Sequence, residues 1–181
     1  MVFIELKLNM NNSSIRYEEA IVWYLNYELG SYEIHNTDTI DCVLQSNIDI
    51  ENYLSIYKQI GGAWQWSERL IINREELHHI LAKDTTEVYY VYSNEDIIGY
   101  FELDFSIKPE IIYFGLTPNT IGKGYGKTMM FALLNILKIR NIKEVMLHTC
   151  SNDSKRALSF YQNCGFKIYD EKIEKQTIIK E

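Results

Sequence analysis

The chain has 181 residues, 46% apolar and 24% charged, with nine glycines and two prolines. That length and balance specify one globular domain over residues 1–181, with enough chain for its own core, and exclude disordered, collagen-like and mucin-like classes. Eighteen basic against twenty-five acidic side chains leave a net charge of −7, so nothing draws the chain generally to nucleic acid or to an anionic membrane, whereas a cationic partner such as an amine suits it.

Residues 1–49 are the least legible. Glu5 and Lys7 put charges where a signal peptide needs an apolar core, and the longest apolar run, residues 129–134, is far too short to span a bilayer. Three widely spaced cysteines, Cys42, Cys150 and Cys164, read as buried thiols of a reducing compartment, so the expectation is a soluble, cytoplasmic protein. The four histidines show no metal-ligand spacing with them, and no metal is expected. An Asn/Ser turn at residues 11–14 precedes an aromatic stretch at 21–27 whose pattern suits strand and helix alike.

From Ile50 the spacing of Ile50, Tyr53, Leu54 and Tyr57 predicts an amphipathic helix that stops at Gly61 and Gly62. Asn73, with Glu76 three positions on, caps a second short helix carrying Leu77, Ile80 and Leu81. Residues 88–92 and 97–105 are β-branched and aromatic and are joined by Ser93-Asn94-Glu95-Asp96, a hairpin loop, and 111–116 makes a third strand. Met130, Leu133, Leu134 and Leu137 mark a long helix ending near Arg140. The strand at 145–149 follows a helix and is therefore expected parallel to 111–116 through a right-handed crossover. Asn152, Asp153 or Ser154 is expected to cap a last helix that Gly165 ends, and 166–175 and 176–180 finish as strands.

Three glycines fall within residues 122–126, between a strand and a helix. Glycines there let backbone N–H groups approach a ligand, and the helix N-terminus adds partial positive charge, a combination suited to phosphate. Gly126-Lys127-Thr128 supplies the end of a Walker loop, but Ile121 stands where its first glycine belongs. A dinucleotide fingerprint needs two residues between its second and third glycines, and only Tyr125 separates Gly124 from Gly126.

The stretch Ile121-Gly122-Lys123-Gly124-Tyr125-Gly126 resembles the pyrophosphate loop of the GCN5-related N-acetyltransferase (GNAT) superfamily, Gln/Arg-x-x-Gly-x-Gly/Ala, with Ile121 at the Gln/Arg position. Residues 157–166, Ala-Leu-Ser-Phe-Tyr-Gln-Asn-Cys-Gly-Phe, are similar to the superfamily's Ala-Leu-x-x-Tyr-x-x-x-Gly-Phe block. The resemblance covers residues 97–166 and extends back to about 50. It implies an α/β (α+β) fold with a mixed, mostly antiparallel sheet, a splayed parallel strand pair and helices on both faces. It implies acetyl-CoA as cosubstrate, with the pantetheine bonded to backbone near Leu116 and the pyrophosphate on Ile121, Gly122, Lys123, Gly124, Tyr125, Gly126 and Lys127. Ser154 stands where the superfamily often has a cofactor-contacting Asn.

By the same resemblance Tyr161 donates a proton to the departing CoA thiolate, which a phenol of pKa ~10 can do. Glu110 occupies the position of the catalytic glutamate of the histone-acetyltransferase branch. Glu102, a carboxylate in an apolar strand, is costly to bury unless paired or protonated and is the rival general base. His148, at a strand end, is a third candidate. Lys155 and Arg156 at the start of the last helix oppose its dipole, and a CoA phosphate would account for one of them. Trp64 and Trp66 line an acceptor pocket or pack as core. The expected function is acetyl transfer to a primary amine of a small molecule or peptide by direct attack in a ternary complex; the alternative is a non-catalytic CoA-binding regulatory module. Monomer and homodimer both remain open.

Overall fold

The computed structural model describes residues 15–179. The expected turn at 11–14, the charged segment ahead of it and the last residue of the expected strand 176–180 lie outside the described residues. Seven strands form one sheet in the order β2-β3-β4-β5-β6-β1-β7. They are β1 Ile15–Glu28, β2 Asp41–Leu44, β3 Thr86–Ser93, β4 Asp96–Asp104, β5 Glu110–Leu116, β6 Glu144–Cys150 and β7 Lys167–Ile179. The pair β5–β6 is parallel and every other neighbouring pair is antiparallel. Helices cover both faces, so the expected GNAT-type architecture is the one observed.

One face carries α1 Ile50–Gly61, α2 Glu68–Ile71 and α3 Arg74–Leu81. Asp49 starts α1 by accepting from Asn52 N at 2.7 Å, and Asn73 starts α3 by accepting from Glu76 N at 2.8 Å. Each side chain satisfies an N–H that a first turn leaves orphaned. Tyr53, Ile56, Tyr57 and Ile60 of α1 and Leu77 of α3 close over Val88, Tyr90, Tyr100 and Tyr113 of the sheet. On the other face α4, Tyr125–Ile139, buries Met129, Met130, Leu133, Leu134 and Leu137 against Phe101, Leu103, Ile111, Val145 and Leu147. The last helix, α5 Ala157–Asn163, joins that side through Leu158, Phe160 and Tyr161.

One open reading is resolved and three expectations change. The stretch 21–27 is strand, part of the 14-residue β1, which lies between β6 and β7. The two expected C-terminal strands are one continuous strand, because β1 offers β7 a partner along its whole length from Ile179 to Lys167. The cap of α5 is Arg156, with no side-chain bond, so Lys155 and Arg156 precede the helix instead of lying in its first turn. Asp153 is drawn elsewhere, accepting from Thr149 Oγ1 at 2.6 Å and from Cys150 N at 3.0 Å. The three thiols are free and half-buried, more exposed than expected. No described helix is long and apolar enough to cross a membrane.

Candidate active site

The parallel pair holds its register at Glu110 with Met146 and Ile111 with Leu147, and then the strands part. A cleft of about 710 Å3 opens where they diverge, between 111–116 of β5 on one side and β6 with the loop after it on the other. The splay leaves backbone groups of β5 without a partner strand, free to bond an extended ligand.

One end of the cleft is the glycine loop, where Ile121, Gly122, Gly124, Gly126 and Lys127 contribute lining. Gly122 and Gly124 have φ of +83° and +89°. A Cβ at either would meet nothing within 4 Å, so it is the left-handed backbone that selects glycine there. Gly124 caps α4 with no side chain across the first turn, which leaves those N–H groups directed along the helix axis with the positive end of its dipole. Leu116, Ser154 and Arg156 also line the cleft. Lys123, Tyr125 and Lys155 are not among its lining residues, and the Tyr125 hydroxyl lies 3.2 Å from Ser93 Oγ.

Tyr161 lines the cleft. It stands edge-on to Phe114 and Phe160, with ring centroids 6.2 and 5.4 Å away. Burial, then the charge of Asp153, raises its pKa above the ordinary phenol value. The hydroxyl therefore stays protonated at neutral pH and is available as a donor.

The two carboxylate candidates separate. Glu102 is 1% exposed and lies off the cleft. It accepts from Tyr53 OH at 2.7 Å and pairs with the Arg69 guanidinium. The burial cost of this carboxylate is thus met by a paired cation. Glu110 also lies behind the lining, but its Oε1 is 3.1 Å from His148 Nδ1, and His148 lines the cleft with its side chain 43% exposed. Desolvation pulls the imidazole pKa down; the hydrogen bond and charge of Glu110, aided by Glu68 and Asp153, outweigh it and the net shift is upward. The histidine and Glu110 thus form one unit.

Trp64 and Trp66 both line the cleft. A Cβ on Gly61 would overlap the Trp66 ring at 2.3 Å, so this helix-ending glycine makes room for the indole. Trp66 then packs 5.1 Å from Tyr113 and 5.7 Å from Tyr57. Sequence reasoning missed Glu68, which lines the cleft and accepts from Tyr113 OH at 2.5 Å. It also missed residues 176–178 of β7, which close the same end. A four-residue helix such as α2 leaves no periodicity from which Glu68 could be found.

The model of the acetyltransferase (GNAT) family matches residues 50–166. No curated protein matches the chain. Among solved structures, a functionally unknown conserved protein from Staphylococcus epidermidis superposes with a TM-score of 0.61 at 20% identity, over 91% of this chain and 63% of that one. This chain thus spans less than two thirds of that protein's length. An aminoglycoside acetyltransferase from an uncultured soil metagenomic sample gives 0.56 at 18% identity, over 71% and 88%. The PaiA N-acetyltransferase from Thermoplasma acidophilum, in complex with coenzyme A, gives 0.52 at 19% identity, over 75% and 98%.

Proposed function

Since the chain belongs to the acetyltransferase (GNAT) family, we propose that it transfers an acetyl group from acetyl-CoA to a primary amine of a small molecule or peptide, by direct attack in a ternary complex. The observation that carries this reading is the single cleft at the β5–β6 splay. It joins a cradle for phosphate to an acidic end that holds a histidine–carboxylate pair.

The residues present fit acetyl-CoA. Gly122 and Gly124 supply the left-handed backbone that turns N–H groups toward a pyrophosphate, and Lys127 and Arg156 supply positive charge beside it. The chain near Leu116 offers backbone to an extended pantetheine. Bound there, acetyl-CoA would supply an acetyl group already activated as a thioester.

His148 takes the proton that the amine sheds as its C–N bond forms, and Glu110 orients the imidazole and stabilises its protonated form. Tyr161 gives its proton to the sulfur as the C–S bond breaks, so an amide and a free thiol result. Arg69 and Tyr53 take both oxygens of Glu102, and we assign that carboxylate to holding α2 in place. Cys150, the thiol in the cleft, has its pKa raised by burial and then by Asp153. It stays protonated at neutral pH, which favours direct attack over an acyl-cysteine.

Acetyl-CoA at about 100 times its Kd stabilises by about 2.7 kcal/mol, a Tm rise of about 5–10 °C for a domain of this size, whereas ATP gives none. Free thiol should then appear with members of an amine panel, and Tyr161→Phe should slow its release by about 100-fold or more with acetyl-CoA binding retained. An unchanged Tm at millimolar acetyl-CoA sinks the reading. Binding without turnover of any amine would support the alternative, a CoA-binding regulatory module.

A further inference from the structure

The acidic end of the cleft carries more negative charge than one reacting amine can use. Glu68 accepts from the Tyr113 hydroxyl at 2.5 Å. Asp153 accepts from Thr149 Oγ1 at 2.6 Å, Cys150 N at 3.0 Å and Trp66 Nε1 at 3.3 Å. Every one of those donors is neutral, and neither carboxylate has an ion-pair partner among the described residues. Both line the cleft, Asp153 half-buried and Glu68 exposed, so a cation bound there would meet two carboxylates that have no counter-ion.

The placement of Glu68 is also built rather than incidental. Its neighbour Ser67 donates from Oγ to the Thr177 carbonyl of β7 at 2.5 Å, and its other neighbour, Arg69, is locked to the buried Glu102. Anchors on both sides thus hold Glu68 toward the cleft. Trp66, Tyr113 and Tyr57 pack together in the cleft lining, Tyr113 bonded to Glu68 and Trp66 to Asp153, and their rings give an apolar, aromatic wall beside both carboxylates. Lys127 and Arg156, the cations lining the cleft, belong to its phosphate end. Neither of them is paired with Glu68 or Asp153.

A nitrogen that attacks a thioester must first give up its positive charge, so the reacting amine cannot neutralise these two carboxylates when it matters. A second cationic group in the same molecule can. Resting on the acetyl-transfer reading above, we propose that the acceptor is a linear diamine. One amino group meets His148 in its neutral form, while the other stays an ammonium between Glu68 and Asp153, with its methylene spacer along Trp66 and Tyr113. One nitrogen gains the acetyl carbon as the thioester C–S bond breaks. Its proton leaves to His148, the thiolate takes one from Tyr161, and the second ammonium is unchanged. A polyhydroxylated polycation suits the site less well, because an aromatic wall offers its hydroxyl groups few partners.

The test compares 1,5-diaminopentane with n-hexylamine, in which a methyl replaces the far ammonium, and adds an aminoglycoside as a third acceptor. Thiol release gives kcat/KM for each, and calorimetric titration of each amine into the protein alone gives Kd. The diamine should exceed n-hexylamine by about tenfold or more in both quantities, as expected for one ammonium shared by two carboxylates. The gap should narrow as salt rises. Glu68→Gln, checked by its melting temperature, should bring the ratio of the two amines to within about threefold. Equal values for the two amines, a ratio untouched by Glu68→Gln, or clear preference for the aminoglycoside would overturn the proposal. Failure of the underlying reading looks different: no thiol release with any amine and no stabilisation by acetyl-CoA, in which case the calorimetric ratio still decides whether the acidic end selects a dication.

Discussion

Glu102 and Glu110 are both strand carboxylates, and their surroundings give them different work. Glu102 sits between Arg69 and Tyr53 with 1% exposure. Removing its charge leaves a buried guanidinium unpaired, so Glu102→Gln should cost about 3–5 kcal/mol in urea unfolding. At a temperature where the variant is folded, its turnover should keep the wild-type pH profile; a lost basic group in that profile would instead make Glu102 the base. Glu110 bonds His148 and raises its pKa; if His148 is the base as proposed, the rising limb of kcat/KM should lie above pH 6.5, because only the neutral imidazole takes a proton. Glu110→Gln removes the main raising influence and should move that limb to lower pH. The same linkage reads out in stability. A group whose folded pKa is raised adds stability that is complete below its unfolded value and fades as pH climbs through the folded one. Glu110→Gln should therefore cost more at pH 5.5 than at pH 8.5, and a pH-independent cost would show that the pair does not titrate as described.

At the scale of elements, the legible parts were those whose local signals are complete. α1 and α3 have side-chain caps and apolar stripes, the β3–β4 hairpin turns at Asn94 with φ of +57°, and α4 follows its glycine run directly. The glycine loop, with Gly122, Gly124 and Lys127, lay within those segments, whereas Tyr161 on α5 was reached through the resemblance of residues 157–166 to the superfamily's block. β1 was ambiguous for a physical reason. A bulge between Tyr24 and Leu25 breaks the two-residue alternation, so its buried positions fall at Ala20, Val22 and Leu25, and the last gap imitates a helical step. The cap of α5 misled because Asp153 serves the loop and Trp66 instead. The glycine loop carries its own prediction. Gly122→Ala or Gly124→Ala should each lower stability by about 1 kcal/mol, since the cost is backbone strain with no clash, and should weaken stabilisation by acetyl-CoA. Gly126 is helical, and a Cβ there would lie an ordinary 3.5 Å from Phe160. Gly126→Ala should leave Tm unchanged or higher, and a fall as large as that of the other two would refute the distinction between them.

Across the whole molecule, the least readable segment turns out to be the one that completes the sheet. β6 and β7 do not pair with each other; β1 lies between them and bonds both. The Trp23 indole reaches Glu171 at 2.6 Å across 148 positions of sequence. No local pattern reports a pairing of that range, because register between such distant strands is fixed by the core they share. The end of the cleft proposed for the acceptor depends on it, since residues 176–178 reach the cleft on a strand held to the sheet by β1, while the glycine loop hangs on β5 and α4. Leu25 fixes β1 from inside. It is fully buried and packs in the cluster that includes Val145, Leu147 and the apolar stripe of α4. Leu25→Ala should lower the unfolding free energy by about 2–5 kcal/mol in urea. Because that loss loosens β1 and with it β7, the partly destabilised protein should show a raised KM for the amine with the KM for acetyl-CoA nearly unchanged. Equal rises in both would mean that the two ends of the cleft are coupled more tightly than the strand order implies.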